Sequence, residues 1–157
     1  MRVIIVGSLI VAVALGLAGG LGGYTFWYAQ GASYLKNDPE ACANCHVMRD
    51  QLNGWSRGSH HAVATCNDCH TPHDFAGKWL AKASNGYHHS LAFTTGDFHE
   101  PIQIKPANRA VTEAACRTCH APIVQGIDPF GDVHGGSGGT PGHEPLACLH
   151  CHAGVGH

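Results

Sequence analysis

The stretch that decides the fold is Cys42-Ala-Asn-Cys-His-Val-Met48, the first of four segments with the pattern CxxCH. In this pattern two thiols can form thioethers with a porphyrin, and the histidine that follows can bind the iron. Met48 raises a question, because Met and His can both hold haem iron. The thioethers hold the peptide against one haem face, so Met48 and His46 compete for one position. From spacing alone, Met48 is interpreted as a packing residue.

All eight cysteines of the chain belong to CxxCH segments. One copy can arise by chance or in a zinc site, but four copies that use every cysteine are specific for c-type haem. A disulfide framework or a structural zinc site does not explain why a histidine follows every second cysteine. We therefore predict four haem c groups. The attachment pairs are Cys42/Cys45, Cys66/Cys69, Cys116/Cys119 and Cys148/Cys151, followed by His46, His70, His120 and His152.

The rest of the composition predicts a domain built around these cofactors. Only 13% of the 157 residues are charged, yet long apolar periodic runs are scarce after residue 30. Such a chain buries too little of its own surface to fold alone, so the macrocycles must form most of the core. The expected fold class is a multihaem cytochrome c, mainly α-helical with long loops and little sheet. The formal net charge of −2 does not indicate a nucleic-acid-binding protein.

Residues 3–23 carry no charge, which is long enough to span the ~30 Å hydrocarbon core of a membrane. A cleaved signal peptide is the alternative, but its apolar region is usually shorter, and aromatic residues suited to a membrane interface follow at 24–28. We predict a single transmembrane anchor over 1–30 and a haem-cored periplasmic domain over 31–157, because this haem attachment takes place outside the bacterial cytoplasm. Arg2 favours a cytoplasmic N-terminus at the bacterial inner membrane.

The spacing of the motifs predicts two haem pairs. Successive first cysteines lie 24, 50 and 32 residues apart, so there is no fixed repeat. An insert at 71–110 separates the pairs. Seven glycines and four prolines in 121–147 predict a long mobile loop.

The insert contains the best helical pattern of the chain. Apolar residues recur every four positions on one face, and polar residues share a second face. This pattern suits a helix at a membrane interface, and a surface helix with solvated lysines is the alternative. The apolar stripe is Phe75, Trp79, Ala83 and Tyr87, and the polar face is Lys78, Lys82, Asn85 and His89.

Ten histidines remain outside the CxxCH positions, and only a few of them can supply the second axial ligand of a haem iron. His61 lies five residues before Cys66, and His157 lies five after His152. Because the CxxCH segments of multihaem folds lie close together, each is expected to serve a haem other than that of its own motif. His150 is expected to point outward. Three further histidines are expected to be ordinary solvated loop residues: His60, His134 and His143.

The whole pattern resembles the NapC/NirT/NrfH family of membrane-anchored tetrahaem quinol dehydrogenases. The short length and the single histidine after the fourth motif are most similar to members that serve as the small subunit of cytochrome c nitrite reductase. The resemblance implies oxidation of menaquinol and electron transfer to the pentahaem catalytic subunit of that reductase. The segments that carry it are the N-terminal span, CANCHVM at 42–48, HAVATCNDCHTPH at 61–73, KASNGYHHSLAFTTGDF at 82–98, CRTCH at 116–120 and CLHCHAGVGH at 148–157.

The resemblance also implies roles for particular residues. It makes Met48 the axial ligand of a five-coordinate first haem beside the quinol site, and it makes His61 and His157 distal ligands of other haems. Lys82 and His89 match a lysine and a polar group near the first haem. One distal ligand is then left to a partner side chain or to His73, His88 or His99.

Quinol oxidation releases two electrons and two protons, so the site needs a base near the ring hydroxyls. We expect His89 or Lys82 to orient the quinol and take a proton. The alternatives are the same quinol chemistry with a periplasmic nitrate reductase as partner, or a membrane-tethered cytochrome without its own quinol site. The sequence contains no recognisable nitrite pocket, so we expect an electron-transfer subunit of an oxidoreductase complex and not the nitrite-reducing subunit.

Overall fold

The structure is a computed structural model that describes residues 2–131 and 146–157. The part of the predicted Gly-rich loop at 132–145, with His134 and His143, lies outside the described residues. The chain divides into two compact units, Met1–Lys36 and Asn37–His157. Every regular element in the described ranges is helical, and they contain no strand. The predicted mainly α-helical fold is confirmed.

The first unit consists of helix α1 (Arg2–Tyr28) and a 3-10 turn at Gly31–Leu35. The 27 residues of α1 extend over about 40 Å at 1.5 Å per residue. Its most apolar window has a mean hydropathy of 2.5, and none of that window is buried within the structure. By length and composition, α1 fits a single-pass membrane anchor.

The second unit places a short helix at each haem-attachment motif. Two 3-10 turns, His46–Met48 and Ser59–Ala62, join the helices around the first two motifs. The helices are α2 (Pro39–Cys42), α3 (Arg49–Arg57), α4 (Cys66–His70), α5 (Phe75–Thr95), α6 (Pro106–Cys119), α7 (Ala121–Ile127) and α8 (Cys148–Cys151).

Helix α5 confirms the helical pattern predicted for the insert. The Asp74 carboxylate caps its N-terminus by accepting the Gly77 N–H at 2.6 Å. Gly96 ends it with φ at +72°, a left-handed conformation that glycine adopts without steric cost. The lysine face is not uniformly solvated, because Lys82 is only 6% exposed. The alternative prediction, a surface helix with solvated lysines, is therefore wrong for Lys82.

Helix α6 is the centre of the second unit, since α4, α7 and α8 all pack against it. The second and third motifs are therefore neighbours in space, although 50 residues separate their first cysteines. In space, the insert thus does not separate the two predicted haem pairs. The insert contains α5. After α5 the chain continues into α6, which packs on α4.

Helix α7 corrects the beginning of the predicted loop at 121–147. Residues Ala121–Ile127 are helical, with Pro122 in the first turn, where its missing N–H is tolerated. Val124 is 6% exposed and so packs inward from α7. The glycine and proline count thus missed a helix that begins directly after His120.

The polypeptide of the second unit has almost no apolar core of its own. The buried apolar residues in the described ranges are Ala43, Ala115 and Val124. No large side chain there is fully buried. A domain of this size normally buries many large aliphatic side chains, so this composition fits a core made largely of cofactor.

Candidate functional site

The first motif ends α2 and continues into a 3-10 turn. Asp38 caps α2 through the Glu40 N–H at 3.1 Å, and Pro39 occupies its first turn. The Met48 N–H then donates to the Cys45 carbonyl at 2.8 Å, which closes the turn at His46–Met48. Met48 is half-buried, whereas His46 is exposed. The turn therefore directs the methionine inward and the histidine outward.

One turn of helix beyond Met48, the chain contains an orphaned acceptor. The Gln51 Oε1 atom is buried and has no hydrogen-bond partner among the described residues. A buried carbonyl oxygen without a donor is costly in a folded protein. The first motif therefore offers an acceptor that a bound group with a donor could satisfy.

At the second motif, His70 faces His157. Their ring centroids lie 6.0 Å apart, and their planes differ by 18°. Burial lowers the pKa of His70, and His157 and His89 lower it further. The two histidines come from the second and fourth motif regions, so His157 faces a motif other than its own.

Gly54 on α3 makes room for His157. A Cβ added at Gly54 would lie 3.0 Å from the Cα of His157 and 3.1 Å from its carbonyl carbon. Those distances are tighter than ordinary van der Waals contact. Sequence reasoning missed this residue, and a glycine in the interior of a helix was the available signal.

At the third motif, the ring that faces His120 belongs to His60, with centroids 6.1 Å apart and planes at 82°. His61 instead packs on Trp55, with centroids 4.9 Å apart. The Trp55 indole N–H donates to the Ala64 carbonyl at 3.0 Å and thereby fixes the ring. His60, expected to be a solvated loop residue, thus lies beside a haem motif, and the adjacent His61 lies on the other side of the turn.

The fourth motif is bound to α6. Both carboxylate oxygens of Glu113 accept backbone N–H groups there, from Cys148 at 2.8 Å and from Leu149 at 2.9 Å. The side chain of His152 is exposed. Among the described residues, no ring contact joins His152 to another histidine.

The four motifs form a continuous series. A hydrogen bond with Cys66 lowers the pKa of the Cys42 thiol to about 7, which joins the first motif to the second. Burial raises the pKa of the Cys116 thiol, and so does Cys69, which joins the second motif to the third. Cys116 in turn contributes to a raised pKa at Cys148, where burial is the main cause. Cofactors at these positions would follow one another in the order of the sequence.

Lys82 lies beside the first motif. Its Nζ donates to Asn37 Oδ1 at 3.3 Å, and Asn67 of the second motif donates to the same oxygen at 3.0 Å. Burial lowers the pKa of Lys82, Lys78 lowers it further, and Cys42 opposes the change. A buried lysine with a lowered pKa can hold or exchange a proton nearer neutral pH.

His89 lies two turns along α5 from Lys82, about 10 Å along the helix axis. Partial burial lowers its pKa, and so do Lys105 and His88. His89 also acts on the pKa of His70. It is therefore nearer to the second motif than the sequence suggested, while Lys82 lies beside the first.

Two of the spare histidines are engaged in local hydrogen bonds. His73 bonds through Nε2 to the Asp68 carbonyl at 2.9 Å. His88 bonds through Nδ1 to the Ser84 carbonyl at 2.8 Å. Since a carbonyl only accepts, each ring donates, and that nitrogen is occupied.

These residues fit haem c. None of the eight cysteines is in a disulfide, so every thiol is available for a thioether. An imidazole nitrogen binds a transition metal at about 2 Å, and with the ring radius added, two imidazoles that share one metal have centroids about 6 Å apart. The pairs His70/His157 and His60/His120 have that separation. No group of three or more His, Cys, Asp or Glu suited to a bare metal ion occurs in the described ranges.

Comparison with known proteins gives consistent results. Residues 6–157 match the model of the NapC/NirT cytochrome c family, N-terminal region. Cytochrome c-type protein NrfH of Wolinella succinogenes is 33% identical over 99% of this chain and 87% of its own. Cytochrome c-type protein NapC of Escherichia coli is 28% identical over 90% of this chain and 79% of its own.

A solved structure is also similar. It is the crystal structure of the cytochrome c nitrite reductase NrfHA complex bound to the HQNO inhibitor, with a TM-score of 0.50 and 26% identity. The match covers 77% of this chain and 75% of the matched chain. The likeness thus extends over most of the fold described above.

Proposed function

Because the chain belongs to the NapC/NirT cytochrome c family, we propose that it is a membrane-bound menaquinol dehydrogenase that feeds a periplasmic cytochrome c nitrite reductase. Electrons would pass through four c-type haems to the pentahaem catalytic subunit, which reduces nitrite to ammonia. The observation that carries this proposal is the continuous series of four motifs, with a buried lysine beside the first. The similarity to NrfH and to the NrfHA complex supports nitrite reductase rather than nitrate reductase as the partner.

Each CxxCH segment would hold one haem c by two thioethers and a ligand on the near face. Bound haem c supplies one-electron redox chemistry. In the first segment we assign the near-face position to Met48. Support comes from the family resemblance, and the half-buried position of Met48 is compatible with this role.

The distal ligands follow from the histidine pairs. We assign His157 to the haem of His70, because the rings face each other at 6.0 Å. For the haem of His120, the candidates are His60, whose ring centroid lies 6.1 Å from that of His120, and His61, which the family resemblance implies as a distal ligand without saying of which haem. For the haem of His152 we propose a ligand from the partner subunit, with His73, His88 and His99 of this chain as alternatives. The hydrogen bonds of His73 and His88 occupy one ring nitrogen of each and leave the other for iron.

At the quinol site, the chain's own residues would manage protons. Menaquinol releases two electrons and two protons, and the electrons leave one at a time. Lys82, held by Asn37 and with its pKa lowered by burial, would orient a ring hydroxyl and accept a proton. His89 is the second candidate for this role.

The membrane arrangement completes the proposal. We propose that α1 crosses the bacterial inner membrane once, with the N-terminus in the cytoplasm and the haem unit in the periplasm. The position of Arg2 before the apolar span supports this orientation. The quinol pool of the same membrane then lies within reach of the haem unit.

The test uses the variants Lys82→Ala and His89→Ala in the purified holoprotein. Loss of the proton acceptor should abolish reduction by a menaquinol analogue while dithionite still reduces all four haems. Ser90→Ala on the same helix is the control and should keep normal quinol kinetics. Normal quinol kinetics in both lysine and histidine variants would contradict the assignment. Failure of the wild type to accept electrons from quinol would favour a tethered cytochrome without a quinol site.

A further inference from the structure

Glu113 connects the third and fourth motifs. It lies on α6 one turn before Cys116, and its two carboxylate oxygens accept the N–H groups of Cys148 and Leu149 at 2.8 and 2.9 Å. Both oxygens are thus bonded to the backbone that carries the first cysteine of the fourth motif. Hydrogen bonds to an ionised carboxylate are stronger than those between neutral groups.

Arg117, one turn further along α6, holds the residue that leads into the fourth motif. Its guanidinium donates to the Leu146 carbonyl and lies 3.9 Å from the Asp128 carboxylate. Asp128 in turn accepts the Leu146 N–H at 3.2 Å. Arg117 and Asp128 are 5% and 4% exposed. The peptide groups on both sides of Leu146 are therefore bonded to one buried ion pair.

Arg109, one turn before Glu113 on α6, lines the same groove as Glu113 and Arg117, so two guanidinium groups lie near the carboxylates of Glu113 and Asp128. The Glu113 carboxylate itself is bonded directly to the backbone of Cys148, where the fourth haem would be attached. Ferric haem carries one more positive charge than ferrous haem, and a nearby carboxylate therefore favours the ferric form. Burial tends to raise the pKa of Glu113, but the N–H groups of Leu149 and Cys148 outweigh it, so the pKa lies below its usual value and the group is ionised at neutral pH.

We propose that Glu113 is a positioning residue for the fourth haem: together with Arg117 and Asp128 it holds the fourth motif on α6 beside the third, and its charge lowers the reduction potential of the haem attached there. Supporting groups on a rigid helix are a general means of holding a redox centre in place. The proposal rests on haem attachment at Cys148/Cys151. It depends neither on quinol nor on the nitrite reductase partner.

The test compares Glu113→Gln, Glu113→Ala and Glu100→Gln in the full holoprotein in mild detergent. Haem content, EPR spectra and a mediated redox titration are measured without quinol or partner. Glu113→Gln is expected to keep four haems and to shift one component of the titration to higher potential, with a changed EPR signal for the same haem. Glu113→Ala is expected to broaden that signal further or to lose the fourth haem. The exposed Glu100 should leave the titration unchanged.

A Glu113→Gln titration that superimposes on the wild type would overturn the proposal. So would an equal shift in Glu100→Gln, because the effect would then be one of total charge. If Glu113→Ala does not accumulate, Glu113→Gln still decides. Quinol reduction of the same samples is scored separately, so a failed quinol reaction with a shifted potential would contradict the proposed function and leave this inference standing.

Discussion

At the scale of single residues, a turn of three residues sets the positions of the two candidate iron ligands in the first motif. The 3-10 turn His46–Met48 places two residues of iron-binding chemistry on different sides, with Met48 half-buried and His46 exposed. A 3-10 helix has about three residues per turn, so positions two apart point in different directions. Spacing alone favoured a packing role for Met48, whereas the family resemblance implies an iron ligand, and the half-buried position of Met48 fits both roles.

Met48→Leu tests the ligand directly. Leucine keeps the apolar volume but removes the thioether, so the absorption and EPR signals of the first haem should change while those of the other three persist. Val47→Leu in the same turn is the control and should leave all four signals in place. An unchanged first-haem spectrum in Met48→Leu would return this residue to packing.

Gly54→Ala tests the seat of His157. An added Cβ would press on the backbone of His157 at 3.0 Å, so His157 should move away from His70 and the second haem should lose low-spin character. Gly126→Ala is the matched control, since a Cβ there meets nothing within 4 Å. That control should stabilise its helix by up to about 1 kcal/mol. A low-spin spectrum identical to wild type in Gly54→Ala would show that the contact has no effect on ligation.

Glu113 also makes a prediction about acid stability. Its folded pKa lies below the ordinary value, so its contribution is present above the unfolded pKa and is lost as pH falls through the folded pKa. Denaturant unfolding of the holoprotein should show Glu113→Gln to be less stable by about 1–2 kcal/mol at pH 7. The difference should shrink below about pH 4. A difference that does not depend on pH would mean that the charge of the carboxylate contributes nothing.

At the scale of elements, the 3-10 turn Ser59–Ala62 places two adjacent histidines against different partners. The sequence and the family resemblance indicate His61 as a distal ligand without saying which haem it serves. The structure brings His60 to 6.1 Å from His120 and packs His61 on Trp55. Adjacent residues in a 3-10 turn point about 120° apart, so their spacing along the chain does not show which of the two faces His120.

His60→Ala and His61→Ala give opposite predictions for the two assignments. Loss of the ligand should convert the third haem from low spin to high spin, and loss of the neighbour should not. From the ring positions we expect His60→Ala to produce the high-spin signal. If His61 is instead the ligand of this haem, His61→Ala should give the same signal, and low-spin spectra in both variants would exclude both residues as ligands.

The helices show which features can be predicted from the sequence. The four motifs and the apolar span could be predicted because each depends on residues within a few positions of one another. The packing of α4 on α6 could not be predicted, since it depends on the path of the chain after α5. The burial of Lys82 was missed for the same reason, because Asn37 lies 45 positions away. Helix α7 was not predicted, because the glycine and proline content of the residues that follow it indicated a loop.

At the scale of the whole molecule, cofactor and polypeptide form one folding unit. The described part of the haem unit buries only Ala43, Ala115 and Val124 as apolar residues, which is too little to offset the conformational entropy of the chain. Polar links, from Asn37 at the first motif to Glu113 at the fourth, fix the order of the motifs.

The most direct test of the central claim is menaquinol-dependent nitrite reduction in liposomes. The holoprotein is reconstituted with a menaquinol pool, the pentahaem catalytic subunit is added outside with nitrite, and ammonium is measured. We predict that ammonium forms only when quinol, this chain and the catalytic subunit are all present, and that Lys82→Ala stops its formation. Haems that stay oxidised in the presence of menaquinol, or ammonium that forms without this chain, would contradict the account.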